Sequence, residues 1–340
     1  MFAYRHAFHA GNHADVIKHS VALACLKLMQ QKEAAVMVAD SHAGSGLYRI
    51  GESLMRGRGE FPTGLAKLWP HRAASMPELV QDYLQMVAGF NQGRALEWLP
   101  GSPVMLARSL RAHDLLYAYE MHPSDYPLLK ANLSDYGRRV KSFRSDGFQS
   151  VMSLLPTVSK RAMYLIDPPY EDKRDYERTF VMVRDGLQRM LNTCFVVWIP
   201  MIARYDVERL LKRLQALAGE KLCIDFCVYP AGADGLGLTG SHVLVFNPPY
   251  GLQTLCDGAV PWLFKKLKQA PAVASEVGHE TKKRGVLAPH FKVSLLPSQP
   301  LKTQKAVRPP SLSQTSYQRT ARPRSSPSGQ LSKPRARSSS

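Results

Sequence analysis

Four residues, Asp167-Pro168-Pro169-Tyr170, close the apolar run Ala162–Ile166 and carry the most specific chemistry in the chain. Two successive prolines remove two amide donors and fix the backbone. They leave carbonyls facing outward and hold Asp167 and Tyr170 rigidly around a pocket. A planar amine suits such a pocket: Asp167 and the Pro168 carbonyl accept its two N–H protons while the Tyr170 ring stacks on the base. The bland alternative is a strand stop followed by a polyproline turn.

A second group surrounds two glycines. Asp40-Ser41-His42-Ala43-Gly44-Ser45-Gly46 follows the apolar run from Val36, and glycines there let backbone approach a ligand closely. The dinucleotide fingerprint fails, because Arg49 stands where a third glycine belongs. No pyrophosphate cradle follows, which argues against a nicotinamide dehydrogenase. Glu120, ending Leu115–Glu120, is placed to accept hydrogen bonds from both hydroxyls of a ribose. Asp146-Gly147 follows the next strand, where Asp146 suits an adenine amino group; an ordinary Asp-Gly turn competes. Asn247-Pro248-Pro249-Tyr250 is a second tetrapeptide of the Asp167 type, but chain order sends it to the opposite edge of the sheet. His6, His9, His13 and His19 invite a metal, yet no cysteine or carboxylate completes a recognisable set, so no metal is expected. Capping suits His13, whereas His6 and His9 fit the substrate mouth beside Tyr4.

These residues need a frame that brings strand ends together. Short apolar runs predict strands at Val36–Asp40, Leu115–Glu120, Val140–Ser145, Ala162–Asp167, Phe195–Pro200, Cys223–Tyr229 and His242–Asn247. Helical periodicity lies between most of them, for example at Ala14–Gln30, Pro103–Arg111, Pro123–Leu133 and Val207–Leu217. Strand–helix alternation predicts a doubly wound, mainly parallel α/β sheet of seven strands. A Gly-rich loop, Ala231–Gly240, joins the last two strands as an antiparallel hairpin at the sheet edge. The gap between Gly46 and Leu115 is too long for a simple crossover. Residues 49–98 therefore read as a small helical insertion, whose Arg49, Arg56, Arg58, Lys67 and Arg72 form either an RNA contact or a solvated face. Ser102-Pro103 reads as the N-cap and first turn of the true crossover helix.

The 340 residues carry 45 Lys and Arg against 27 Asp and Glu, a net charge of +18. This favours an anionic partner, nucleic acid first. Residues 269–340 alone hold 13 of the cations and two acids, with 13 Ser and nine Pro. Such a basic Ser/Pro-rich segment cannot offset its ordering entropy, so a disordered tail is expected, leaving residues 1–268 as the folded domain. The tail suits a sequence-indifferent tether to RNA. No apolar stretch is long enough to span a membrane and no signal-peptide core is visible. The five cysteines sit mostly in apolar runs and read as buried thiols of a reducing, cytoplasmic compartment.

The Asp167 tetrapeptide, the glycine turn and the acid after the second strand resemble class I, S-adenosylmethionine (AdoMet)-dependent amino-methyltransferases acting on adenine N6. The opening segment Tyr4–His19, Pro100-Gly101-Ser102-Pro103 and His122–Pro127 narrow this: residues 1–268 resemble the ribosomal RNA large subunit methyltransferase J (RlmJ) family. The resemblance implies a Rossmann-like enzyme that methylates one adenine of 23S rRNA, numbered A2030 in the family. It implies AdoMet contacts from His19, His42, Ser102, Glu120, Asp146, Gly147 and Asp167. Asp167 would also be the catalytic carboxylate, and Tyr4 would touch the RNA. The substrate would be free rRNA or an early assembly intermediate, and the enzyme a monomer. Two rivals share features with this reading. A DNA adenine methyltransferase has the same pocket chemistry; a non-enzymatic RNA-binding protein would need neither the Asp167 motif nor AdoMet.

Overall fold

The computed structural model describes residues 6–51, 59–93, 95–229, 238–269 and 288–298, all within a compact unit spanning Met1–Leu301. A 3-10 turn at His6–Phe8 leads into helix α1, His13–Met29. Asn12 caps α1 by accepting the Asp15 amide at 2.9 Å, which satisfies one of the orphan donors of the first turn. From His13 to Leu26 every residue of α1 is buried. Strands β1 (Met37–Asp40) and β2 (Leu47–Arg49) follow, then α2 (Leu65–Leu68), α3 (Glu78–Ala88) and β3 (Trp98–Pro100). β2 and β3 pair antiparallel, so the helical segment between them hangs from a two-stranded clasp. Next come α4 (Ser102–Ser109), β4 (Leu115–Tyr119), α5 (Asp125–Asn132), β5 (Val140–Phe143), α6 (Gly147–Ser150) and β6 (Ala162–Ile166). Then follow α7 (Arg174–Arg189), β7 (Cys194–Met201), α8 (Tyr205–Gln215) and β8 (Lys221–Cys227). β9 (Gly240–Phe246), α9 (Leu252–Leu267) and β10 (His290–Leu296) complete the described order.

The main sheet has eight strands in the order β10-β8-β9-β7-β6-β1-β4-β5. β5, β4, β1, β6 and β7 run parallel. β6 is buried at every position, the pattern of a strand covered on both faces. One apolar layer joins the sheet to α1, α3, α4 and α9 through Ile17, Leu84, Leu106 and Val260. The other joins it to α7 and α8 through Met182, Leu187 and Leu210. From β1 the chain turns to β4 and β5 on one side, while β6 and β7 lie on the other. The carboxyl ends of β1 and β6 therefore face the crevice at the point where strand order reverses, the ligand position in such sheets.

All seven expected strands are present, but the sheet differs from expectation in two ways. The β8–β9 hairpin is not at the edge, because β9 inserts antiparallel between β7 and β8. The edge is instead β10, paired antiparallel with β8, inside the segment expected to be a disordered tail. His290-Phe-Lys-Val-Ser-Leu-Leu296 is too short to register in a composition averaged over the whole segment. It is supported by an existing sheet edge, and Phe291 lies 5.0 Å from Phe264 of α9, centroid to centroid. The cap of α4 is also shifted: Gly101 takes the N-cap position and Ser102 is the first helical residue.

Candidate active site

Asp167 follows β6 directly and meets a residue from the far end of the chain. Lys18 of α1 donates from Nζ to Asp167 Oδ2. The same ammonium lies 2.7 Å from Asp15 Oδ1. Both Lys18 and Asp15 are buried. Burial opposes the Lys18 charge, but Asp15 and Asp167 outweigh it and hold the ammonium above the ordinary lysine range. Asp15 is held in turn: its Oδ2 accepts from the Gly11 amide at 2.9 Å and lies 3.2 Å from His6 Nε2. Burial works against its charge as well, and Lys18, His6 and His19 bring its carboxyl well below the usual range. Sequence reasoning assigned Lys18 no role. Its signal was the spacing Asp15–Lys18–His19, which puts three ionisable residues on one face of a helix.

Two cavities of about 280 Å³ each flank this carboxylate, and Asp167, Pro169, Glu171 and His6 line both. The first lies over the carboxyl ends of β1, β4 and β5. His42, Gly44, Glu120, Asp146 and Gly147 line it. Glu120 is oriented by two amides, Gly44 N–H to Oε2 at 2.8 Å and His122 N–H to Oε1 at 2.6 Å. Each oxygen keeps a lone pair for another donor. Gly147 has no alternative here: a Cβ would sit 1.9 Å from the Ser41 carbonyl oxygen. His42 rests edge-on against Phe148, 4.7 Å between centroids, and burial pushes its imidazole down to about 3. Asp146 is more heavily engaged than expected. Arg178 donates to its Oδ2 and the Phe148 amide to its Oδ1, while the guanidinium stacks 4.3 Å over Phe148.

The second cavity is lined by His6, His9, Lys18, Tyr170, Tyr176 and Trp198, among others. Tyr170 is held at φ 54°, and its hydroxyl donates to the Trp198 carbonyl at 2.9 Å. Its ring is thereby fixed in the wall, 4.8 Å from Tyr176. His9 lies 3.1 Å from Glu60 Oε2, and that hydrogen bond raises its imidazole against the effect of burial. Pro169 borders both cavities, whereas Pro168 is buried and borders neither. Tyr4 lies outside the described residues.

Two expected cofactor contacts stand behind the cavities instead of in their lining. His19 is buried one residue past Lys18, its Nε2 3.6 Å from Asp15, and burial lowers it to about 3. Ser102 donates its hydroxyl to Asp40 Oδ2 at 2.6 Å. Burial pushes the carboxyl of Asp40 up to about 6 against that hydrogen bond, with the nearby Asp167 charge adding to the rise. The Asn247 tetrapeptide sits at the other end of the sheet, since Phe246 pairs with Phe195 at the start of β7. The Asn247 amide donates to the carbonyls of Leu191 and Thr193 at 2.7 and 2.8 Å, and Tyr250 is 98 % exposed. Among the described residues no cluster of His, Cys, Asp or Glu is arranged to hold a metal. No helix among them is long and apolar enough to cross a membrane.

Residues 33–279 match the family described as "Ribosomal RNA large subunit methyltransferase D, RlmJ". The chain is 36 % identical over 282 residues to ribosomal RNA large subunit methyltransferase J of Escherichia coli, covering 83 % of this chain and 98 % of that one. The Haemophilus influenzae protein of the same name is 37 % identical over 269 residues, covering 78 % and 94 %. A solved Legionella pneumophila protein superposes with a TM-score of 0.73 at 24 % identity, over 85 % of this chain and 98 % of that one; it shares the fold.

Proposed function

The chain belongs to the RlmJ family of ribosomal RNA large subunit methyltransferases, has the class I Rossmann-like fold and takes AdoMet as cofactor, and from that premise we propose that it methylates N6 of one adenine in 23S rRNA. One observation carries the reading: Asp167 is the wall between two adjoining cavities. A carboxylate so placed reaches donor and acceptor at once.

The first cavity fits AdoMet. Glu120, pinned by two amides, has lone pairs left for the two ribose hydroxyls. The missing side chain of Gly147 brings backbone against the ligand, and the neutral His42 ring supplies a flat wall without charge. When bound, AdoMet supplies a methyl group on a positively charged sulfur.

The adenine enters the second cavity unpaired or flipped from its helix, as base-modifying enzymes require. Tyr170 offers a ring whose position is fixed by its bond to Trp198. The N6 lone pair is delocalised into the base and is a weak nucleophile. Lys18 occupies Oδ2 of Asp167, leaving Oδ1 to accept an N6 proton. This orients N6 along the line of transfer. The carboxylate also stabilises the positive charge that grows on N6, an effect worth several kcal/mol. The methylated nitrogen then sheds its proton without needing a strong base. His6 and His9 form the RNA side of the mouth.

The test is incubation with tritiated AdoMet and 23S rRNA lacking the modification, followed by nucleoside analysis. N6-methyladenosine at one site, A2030 in family numbering, is expected. Label in another nucleoside, or none, refutes the proposal.

A further inference from the structure

The sheet face at the β5 end carries a feature of which the two cavities use only Tyr119. Parallel register sets Tyr117 beside Lys141 and Tyr119 beside Phe143, so these four side chains share one face. α5 packs on the opposite face, where Leu129, Leu116 and Val140 belong to one apolar cluster. The three rings form a stack: Tyr117–Phe143 at 6.2 Å between centroids and 9° between planes, Tyr119–Phe143 at 5.2 Å and 20°. Phe143 is 37 % exposed and Tyr117 is half-buried. Lys141 holds its ammonium 5.6 Å over the Tyr117 ring. Arg138 and Arg144 are exposed on either side of Lys141, and the run Arg138–Arg144 holds four cations and no acid. At its inner end Tyr119 lines the first cavity.

Edge strands often carry lysine to block pairing with other sheets, and cross-strand aromatic pairs stabilise sheets. Those effects account for one cation and one ring pair. They do not account for a partly exposed stack bounded by cations and leading to the mouth of the catalytic crevice. Flat rings beside fixed positive charge are the combination that holds unpaired nucleotides: bases stack on the rings and phosphates meet the cations.

We propose that the Tyr117–Phe143 face of β4 and β5 is a second RNA-docking surface, which stacks an unpaired nucleotide of the substrate rRNA outside the methyl-transfer site. The proposal rests on the rRNA methyltransferase reading above. The surface acts on RNA affinity and leaves cofactor binding and the transfer step alone.

The experiment measures RNA affinity by fluorescence anisotropy on a 23S rRNA fragment containing the target adenine, with full-length Phe143→Ala, Phe143→Trp and Lys141→Gln proteins. Calorimetry with AdoMet and a melting curve accompany each variant. Phe143→Ala should raise Kd and KM for RNA about tenfold with kcat and AdoMet affinity unchanged. Phe143→Trp should retain affinity, because the ring is kept. Lys141→Gln should reduce the slope of log Kd against log salt by about 0.7. Unchanged RNA affinity in Phe143→Ala overturns the proposal, as does a variant that instead loses self-association, which would make this face a contact between copies. A wild-type protein that binds AdoMet but methylates no large-subunit rRNA sinks the parent reading. Methylation indifferent to all three substitutions sinks only this surface.

Discussion

Asp167 and Asn247 head near-identical tetrapeptides, and their surroundings separate them. Asp167 faces Lys18 and two cavities, while Asn247 commits both amide hydrogens to the end of the α7–β7 connection. Asp167→Ala should abolish methyl transfer in the tritium assay without loss of folding. Asn247→Ala should keep full kcat and lose about 1–3 kcal/mol of stability in urea melts, since two carbonyls are left without their donor. The reverse pattern would exchange their roles. Asp40 gives a pH signature. Its carboxyl is raised to about 6, against about 3.9 for a free aspartate. The unfolded chain therefore releases this proton first as pH rises, so the stability contributed at Asp40 falls between about pH 4 and 6 and stays flat above. Asp40→Asn removes that loss, and its advantage in melting temperature over wild type should widen across the same window to a plateau worth on the order of 3 kcal/mol. A gap constant from pH 4 to 7 would exonerate Asp40. At this scale, acids and glycines at strand ends were legible because their position in the chain already fixes their position in space. Lys18 was not, because its partner is 149 residues away and only the packing of α1 across the sheet reveals the pair. Ser102 and His19 were legible as important types, but the helices that carry them turn both toward buried carboxylates.

Secondary-structure elements were easiest to read where the sheet buries them on both faces. β6 and β7 are continuous apolar runs with sharp ends, so their limits could be placed within a residue or two. β10 was missed because nothing in its own seven residues makes a stable strand; the exposed edge of β8 supplies the missing half. Its removal should therefore be felt at that edge. A chain ending at residue 287 should melt several degrees lower than the full protein and aggregate on concentration, as unpaired strand edges do. A chain ending at Ser298 should melt like the full protein. Equal melting curves for the two truncations would show that β10 adds nothing to the sheet. The position of β9 was also out of reach, because a hairpin signal fixes which strands pair and leaves open which side of the sheet receives them.

Over the whole molecule, the net charge of +18 is the most visible number in the sequence and the least informative about the site. Residues 299–340 hold nine cations and no acid, so much of the charge belongs to a segment that follows the last of the described residues. Removing it should leave kcat and the methylated position unchanged. The log–log salt dependence of RNA binding should flatten by about 0.7–0.9 for each phosphate that the shortened chain no longer neutralises. An unaltered slope would mean that this charge plays no part in binding. The crevice is different, since its two cavities are built around one shared carboxylate, and that sharing has a thermodynamic corollary. Whatever fills one cavity changes the field and the hydrogen-bond capacity that Asp167 offers to the other. If cofactor strengthens the grip on the base by some factor, the base must strengthen the grip on cofactor by the same factor. On the proposed reading, a cofactor that has lost its methyl group and positive charge should give up part of that mutual hold, so the same side chain would couple methyl transfer to product escape.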